Sequence, residues 1–366
     1  MFNILLQSPQ RLDEKWVKIA AGSVIIATAL YFGKRLLFTS SECTRTSVSG
    51  GSTKVLLMQH EQEIMAMMPA VTTITKFRST GASAETFLRE RITEILVKNP
   101  WLTGRLEKNS KDGVYLTFQP VPEASVQTIT DHHFQVVETF ELPTKTNFED
   151  LVAKFSPLQV LKGTECVNKD EVLFRVSWVN VRDSDEVVLV FSVSHVLADG
   201  YTFYALQNML DKNTPVTAME VVRSTRYESE IHKLKGADEV MGPLAILGMI
   251  GCSTFQPSMQ MHIVKVNPAW VEAQKADCIA RNAATGDNKV DFVSTNDVLT
   301  AWHNRICQSD FQLMSLNCRG RVASFKPHQA GNYENHVMYH TAEDGSTPEA
   351  VRRSLRTYRN ASNTTP

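Results

Sequence analysis

Apolar residues run almost unbroken from Trp16 to Phe32 (WVKIAAGSVIIATALYF). The one charge in the run, Lys18, lies near its start, where a long stem can carry the ammonium to an interface. As a helix the segment is roughly 26 Å long, at the short end of what crosses a bilayer. Trp16 and Tyr31 stand at its edges, the usual depth of interfacial aromatics. Lys34 and Arg35 follow at once and no small-x-small cleavage site comes soon after, so the segment reads as an uncleaved anchor, not a signal peptide. Basic residues on both sides (Arg11 and Lys15 before, Lys34 and Arg35 after) leave its orientation open.

The pattern then changes. Residues 39–54 (TSSECTRTSVSGGSTK) are polar and rich in Gly, Ser and Thr, which predicts a flexible tether. Leu88, Ile92, Ile95 and Leu96 follow helical spacing, and Asn99-Pro100 should end that helix, because proline lacks the amide donor. Val114–Phe118 alternates as a strand. Residues 172–181 and 187–193 are β-branched and aromatic, and the polar turn RDSDE between them predicts a hairpin. A helix is expected over 201–210. The apolar run 244–250 is too short to span a membrane and reads as a buried connector. Further on, 261–266 is strand-like, Asn267-Pro268 looks like a helix start, and Ser294 with Asp297 resembles a capping box opening a helix to Cys307. A last helix-like stretch covers 351–359. These rhythms divide the chain into a segment 1–38 with an anchor at 16–32, a tether 39–54, a domain 55–210, a connecting region 211–257 and a second domain 258–366.

Composition narrows the function classes. A net charge of -1 gives no basic field for a nucleic-acid backbone. The six cysteines are irregularly spaced, without a Cys-x-x-Cys pair, so neither a disulfide framework nor a zinc site is expected. Scattered thiols fit a domain facing the reducing cytosol. His132-His133 has no third ligand at useful spacing and reads as a surface or partly packed pair; His303 reads as a helix-face residue.

The segment His195-Val-Leu-Ala-Asp199-Gly200 carries the strongest chemistry. It follows a buried-type strand and precedes a helix, so the His195 ring can project into a cleft. A neutral imidazole can take a proton from an alcohol or amine as that group attacks a carbonyl. Asp199 can orient His195 directly, or turn away and pair with an arginine to brace the loop. Gly200 removes a side chain and permits an unusual backbone angle.

With its neighbours, this hexapeptide resembles the active-site motif of the coenzyme-A-dependent acyltransferase superfamily. The nearest look is to BAHD-type enzymes, with chloramphenicol acetyltransferase, wax-ester synthases and condensation domains as remoter relatives. Lys98–Leu106 (KNPWLTGRL), His195–Gly200, Val293–Trp302 (VSTNDVLTAW), Leu316–Arg321 (LNCRGR) and Gly331-Asn332-Tyr333 resemble family elements and occur in family order. The resemblance implies an α/β fold of two chloramphenicol-acetyltransferase-like domains with mixed sheets, preceded here by the N-terminal membrane helix. It implies acyl-CoA as co-substrate, no resident cofactor or metal, and a hydroxyl or amine acceptor of small-molecule or lipid type. His195 would be the base, Asp199 a brace paired with Arg319 as first choice or Arg321 as second, and Gly200 would keep the channel open. Ser294 and Thr295 would line the CoA side or stabilise the oxyanion, although capping explains them equally well. The family's Asp-Phe-Gly-Trp-Gly segment does not occur up to Pro366, which leads us to expect an incomplete second domain. Two further readings stay open: a non-catalytic, membrane-tethered binding protein of this fold, and a wax-ester or diacylglycerol-type lipid acyltransferase. The anchor suggests a single-pass protein of the endoplasmic reticulum with its catalytic domain in the cytosol.

Overall fold

A computed structural model describes residues 46–78, 82–109, 113–142, 148–224, 226–232, 266–283, 290–307, 312–339 and 345–360. The expected anchor at 16–32, the run 244–250 and the strand 261–266 up to its last residue lie outside these. Among the described residues no helix is long and apolar enough to cross a membrane. The chain divides into two compact units. Of the described residues, 46–226 and 326–332 form the first, and 227–325 and 333–360 the second. The first unit is thus wider than the expected 55–210: it takes in about a third of the expected connecting region and a short return segment that begins at Lys326.

The expected tether is corrected from Thr46 onward. Strands β1 (Thr46–Ser49) and β2 (Ser52–Leu56) pair antiparallel, with Ser49 opposite Ser52. Gly50 and Gly51, the residues that looked like slack, make the two-residue turn with φ of 58° and 80°. That double positive φ is what a tight hairpin needs and what glycine gives without steric cost. After the short helix α1 (Gln59–Glu63) comes β3 (Val71–Arg78), then helix α2 (Ala82–Lys98). Helix α2 buries Leu88, Ile92, Ile95 and Leu96, the spacing read from the sequence. Strands β4 (Arg105–Asn109) and β5 (Gly113–Phe118) complete an antiparallel sheet of order β1-β2-β5-β4.

The second sheet of this unit positions the site. Helix α3 (Val126–His133) leads into β6 (Phe134–Phe140); α4 (Phe148–Phe155) and α5 (Gly163–Cys166) precede β7 (Phe174–Val181) and β8 (Glu186–Val193). The hairpin β7–β8 is present as expected, with Asp183 at φ 54° in its turn. The order is β3-β8-β7-β6, with β6 parallel to β7 and the other pairs antiparallel, so the sheet is mixed. Strand β8 lies between β3 and β7, and every residue from Val187 to Val193 is buried. A strand covered on both faces is apolar on both, which is why it does not alternate, and the one polar side chain of the stretch, Ser192, is hydrogen-bonded to Thr72. Helix α6 (Gly200–Asn208) follows it and packs Phe203 edge-on against Phe191 of β8, ring centres 5.2 Å apart. Strand and helix together hold the intervening loop.

In the second unit, helices α7 (Tyr227–His232), α8 (Pro268–Ala283) and α9 (Thr295–Cys307) precede strands β9 (Gln312–Asn317) and β10 (Glu334–Tyr339); helix α10 (Pro348–Asn360) follows. Both expected helix starts are present. Asn267 Oδ1 accepts from the Ala269 amide at 3.0 Å. Ser294 and Asp297 cap each other's amides at 2.6 and 3.2 Å. Asp297 also pairs with Arg352, tying α9 to α10. The described strands here form an antiparallel pair, so the mixed sheet expected for this domain is not seen among the described residues.

Candidate active site

Every residue of the site at His195 lies in the first unit. Strand β8 ends at Val193, and the loop 194–199 carries His195 half-buried among fully buried neighbours. Asp199 closes the loop as the N-cap of α6: it is 1 % exposed and its Oδ1 accepts from the Thr202 amide at 2.8 Å. A cap of this kind satisfies one of the amides that a helix start leaves open.

The imidazole is met from another part of the chain. Its Nδ1 lies 3.2 Å from Oδ1 of Asn332, so the hydrogen bond on that nitrogen comes from Asn332 and not from Asp199. Asn332 is completely buried. Its Nδ2 lies 2.9 Å from the His195 carbonyl, 3.4 Å from that of Val196 and 3.2 Å from Glu61 Oε1. Its backbone amide donates to the same Glu61 oxygen at 3.0 Å, and its carbonyl accepts from His60 Nε2 at 2.8 Å.

Glu61, also fully buried, is paired on its other oxygen with Arg223 at 2.9 Å and with the Met58 amide at 3.0 Å. The Arg223 guanidinium, 3 % exposed, donates in addition to the carbonyls of Val221, Ala330 and Leu197. A buried ion pair gains little over an apolar one, but removing one partner costs about 3–5 kcal/mol because the other charge is left uncompensated. With four donors on the carboxylate and four acceptors around the guanidinium, this pair meets the condition for being tolerated in a core.

Backbone demands explain the residue types around it. Gly331 has φ 125°, and a Cβ there would sit 2.8 Å from Arg223 Cζ. Only glycine lets the chain pass the guanidinium before Asn332. The return segment is pinned where Ala330 donates to the Glu220 carbonyl at 2.7 Å, and where Asp199 and Thr202 both donate to the Gly331 carbonyl.

The other expected site residues fall as follows. Gly200 is the first residue of α6 and has no positive φ, so the unusual backbone angle expected for it is not used. A Cβ there would meet nothing within 4 Å, so the space beside it is open. Ser294 Oγ donates to Asp297 Oδ2 at 3.0 Å and accepts its amide, so its hydroxyl is committed to the cap of α9. Thr295 is exposed at the first turn of that helix. Arg319 and Arg321 belong to the second unit. The Arg319 guanidinium lies 4.8 Å over the Tyr333 ring and donates to Asn317 Oδ1; Arg321 donates to the carbonyls of Asn317 and Leu355. His133 is buried, deeper than the surface or partly packed pair that was expected.

No protein-family model and no curated protein sequence matches the chain. Solved structures do. The structure of F. graminearum TRI101 complexed with ethyl coenzyme A is 13% identical over 85% of this chain and 76% of its own, at a TM-score of 0.50. That of the TRI3 trichothecene 15-O-acetyltransferase from Fusarium sporotrichioides is 10% identical over 88% and 76%, at a TM-score of 0.51. The fold is shared. At these identities the likeness is one of fold alone.

Within this shared fold, Asn332 was legible only as part of a Gly-Asn element without a role. Glu61 and Arg223 gave no signal. Each sits in an ordinary polar stretch (QHEQE and VVRSTR), and their pairing spans 162 residues. A glycine directly before a buried asparagine, in a family-ordered element, was the available hint.

Proposed function

We propose that the chain is an acyltransferase that moves an acyl group from acyl-CoA to a hydroxyl or amine, with His195 as the general base. The observation that carries this reading is the state of the His195 ring: one nitrogen is held by a buried amide oxygen, which leaves Nε2 to act on a substrate. The shared fold supports it, since one neighbour was solved with ethyl coenzyme A and another is a 15-O-acetyltransferase.

The chemistry follows from a neutral imidazole. Nε2 takes the proton from the acceptor O–H or N–H as that atom attacks the thioester carbonyl carbon. The carbonyl π pair moves to oxygen and a tetrahedral oxyanion forms. When the carbonyl re-forms, the C–S bond breaks and the departing sulfur takes the proton back from Nε2. His195 ends as it began, and the acyl group sits on the acceptor. The oxyanion needs a donor. Ser294, one of the two expected donors, has its hydroxyl committed to a helix cap. In this reading Asp199 is a brace rather than a proton carrier, consistent with its place as the α6 cap.

The test is CoA release from a panel of acyl-CoA donors offered alcohol, amine and lipid acceptors. The folded native chain should release CoA in an acceptor-dependent way, and His195→Ala should lower kcat by roughly 10²–10⁴-fold. Equal rates for the two proteins would end the reading, and so would no transfer to any acceptor.

A further inference from the structure

We propose that Asn332, oriented by the buried Glu61–Arg223 ion pair, is the positioning residue that holds His195 as its Nδ1–H tautomer. The argument starts at Glu61. Its carboxylate only accepts hydrogen bonds, and so do the carbonyls of His195 and Val196. All three face one end of the Asn332 side chain, at 3.2, 2.9 and 3.4 Å. That end must be the NH₂. Turned over, the amide would set its oxygen against three acceptors and lose every one of these bonds. The other end, Oδ1, is therefore the atom facing His195 Nδ1. An amide oxygen can only accept, so Nδ1 must carry the proton. In a neutral ring Nε2 is then bare.

The ion pair keeps this arrangement from relaxing. Glu61 takes both the backbone N–H and the side-chain NH₂ of Asn332, which fixes the rotamer as well as the flip. Arg223 holds the opposite edge of the Glu61 carboxylate and also the Ala330 carbonyl, two residues before Asn332. His60 holds the Asn332 carbonyl. Nδ1–H donates to Oδ1 whether or not Nε2 has gained a proton, so the contact survives both halves of a proton transfer. What the bare nitrogen does rests on the acyl-transfer reading above; the tautomer itself does not.

Nitrogen-15 NMR of the histidine-labelled full chain tests this, with His195→Ala supplying the assignment. With the ring neutral, His195 should show a protonated Nδ1 and an unprotonated Nε2, opposite to the tautomer a free histidine prefers. Asn332→Ala should shift the ring toward Nε2–H and lower kcat by about 10–100-fold, by analogy with the loss of a partner that orients a metal-ligating histidine. KM should move less than about threefold, since substrate contacts are untouched. A bare Nδ1 in the native protein would overturn the proposal, and that measurement needs no variant to fold. An unchanged tautomer in a folded Asn332→Ala would overturn it too. The two readings separate cleanly. Nδ1–H without any CoA release upholds the positioning and ends acyl transfer, whereas His195-dependent CoA release with a bare Nδ1 does the reverse.

Discussion

His133 ends helix α3 with its imidazole in the core, 2 % exposed, its Nδ1 donating to the Phe174 carbonyl at 2.7 Å. Burial pushes its pKa down from 6.5 to about 4, against the smaller upward pull of that carbonyl. The sign follows from which state takes the proton. Between pH 6.5 and 4 the unfolded chain protonates this histidine and the folded chain does not. Stability is therefore fully present above pH 6.5, falls as pH drops through that window, and levels below about 4. The expected loss from pH 7.5 to pH 5 is about 2 kcal/mol. Urea unfolding at the two pH values should show it in the native protein and not in His133→Phe. An equal pH slope in the variant would mean that other groups govern the acid limb.

At the scale of elements, the start of α6 makes a sharp test because the helix and the chemistry ask opposite things of one residue. Gly200 occupies a helical position with open space around it. Alanine there should hold or raise the melting temperature, since glycine in a helix costs up to about 1 kcal/mol relative to alanine. If the open space is the acceptor's path, the added methyl should lower kcat/KM by about tenfold or more. A variant as active as the native protein would remove Gly200 from that path. The elements themselves were largely legible, because their signals are local. A polar turn between two β-branched runs, a proline after a periodic stretch, and a serine three residues before an aspartate act on neighbours in sequence. Local composition also misled. Ser-Gly-Gly-Ser suggested slack, yet the same glycines make a hairpin turn once β2 pairs with β5. The candidate site was half legible for the same reason. His195 and Asp199 stand in one hexapeptide, whereas Glu61, Arg223 and Asn332 meet only through the tertiary fold and carry no mark of it in their own stretches.

Across the whole molecule, the first unit is completed by a segment made late in the chain, 326–332. That return segment has a consequence of timing. The ribosome makes Glu61 first, Arg223 162 residues later and Asn332 271 residues after Glu61. At roughly 5–20 residues per second, the 109 residues from Arg223 to Asn332 take about 5 to 20 seconds. Through that interval the nascent first unit has its sheets and its histidine but lacks the amide that meets the ring. A carboxylate with half its donors missing resists leaving water. The α1 region should therefore stay open on the ribosome, and the reactive histidine be completed among the last features of a unit whose strands were finished long before.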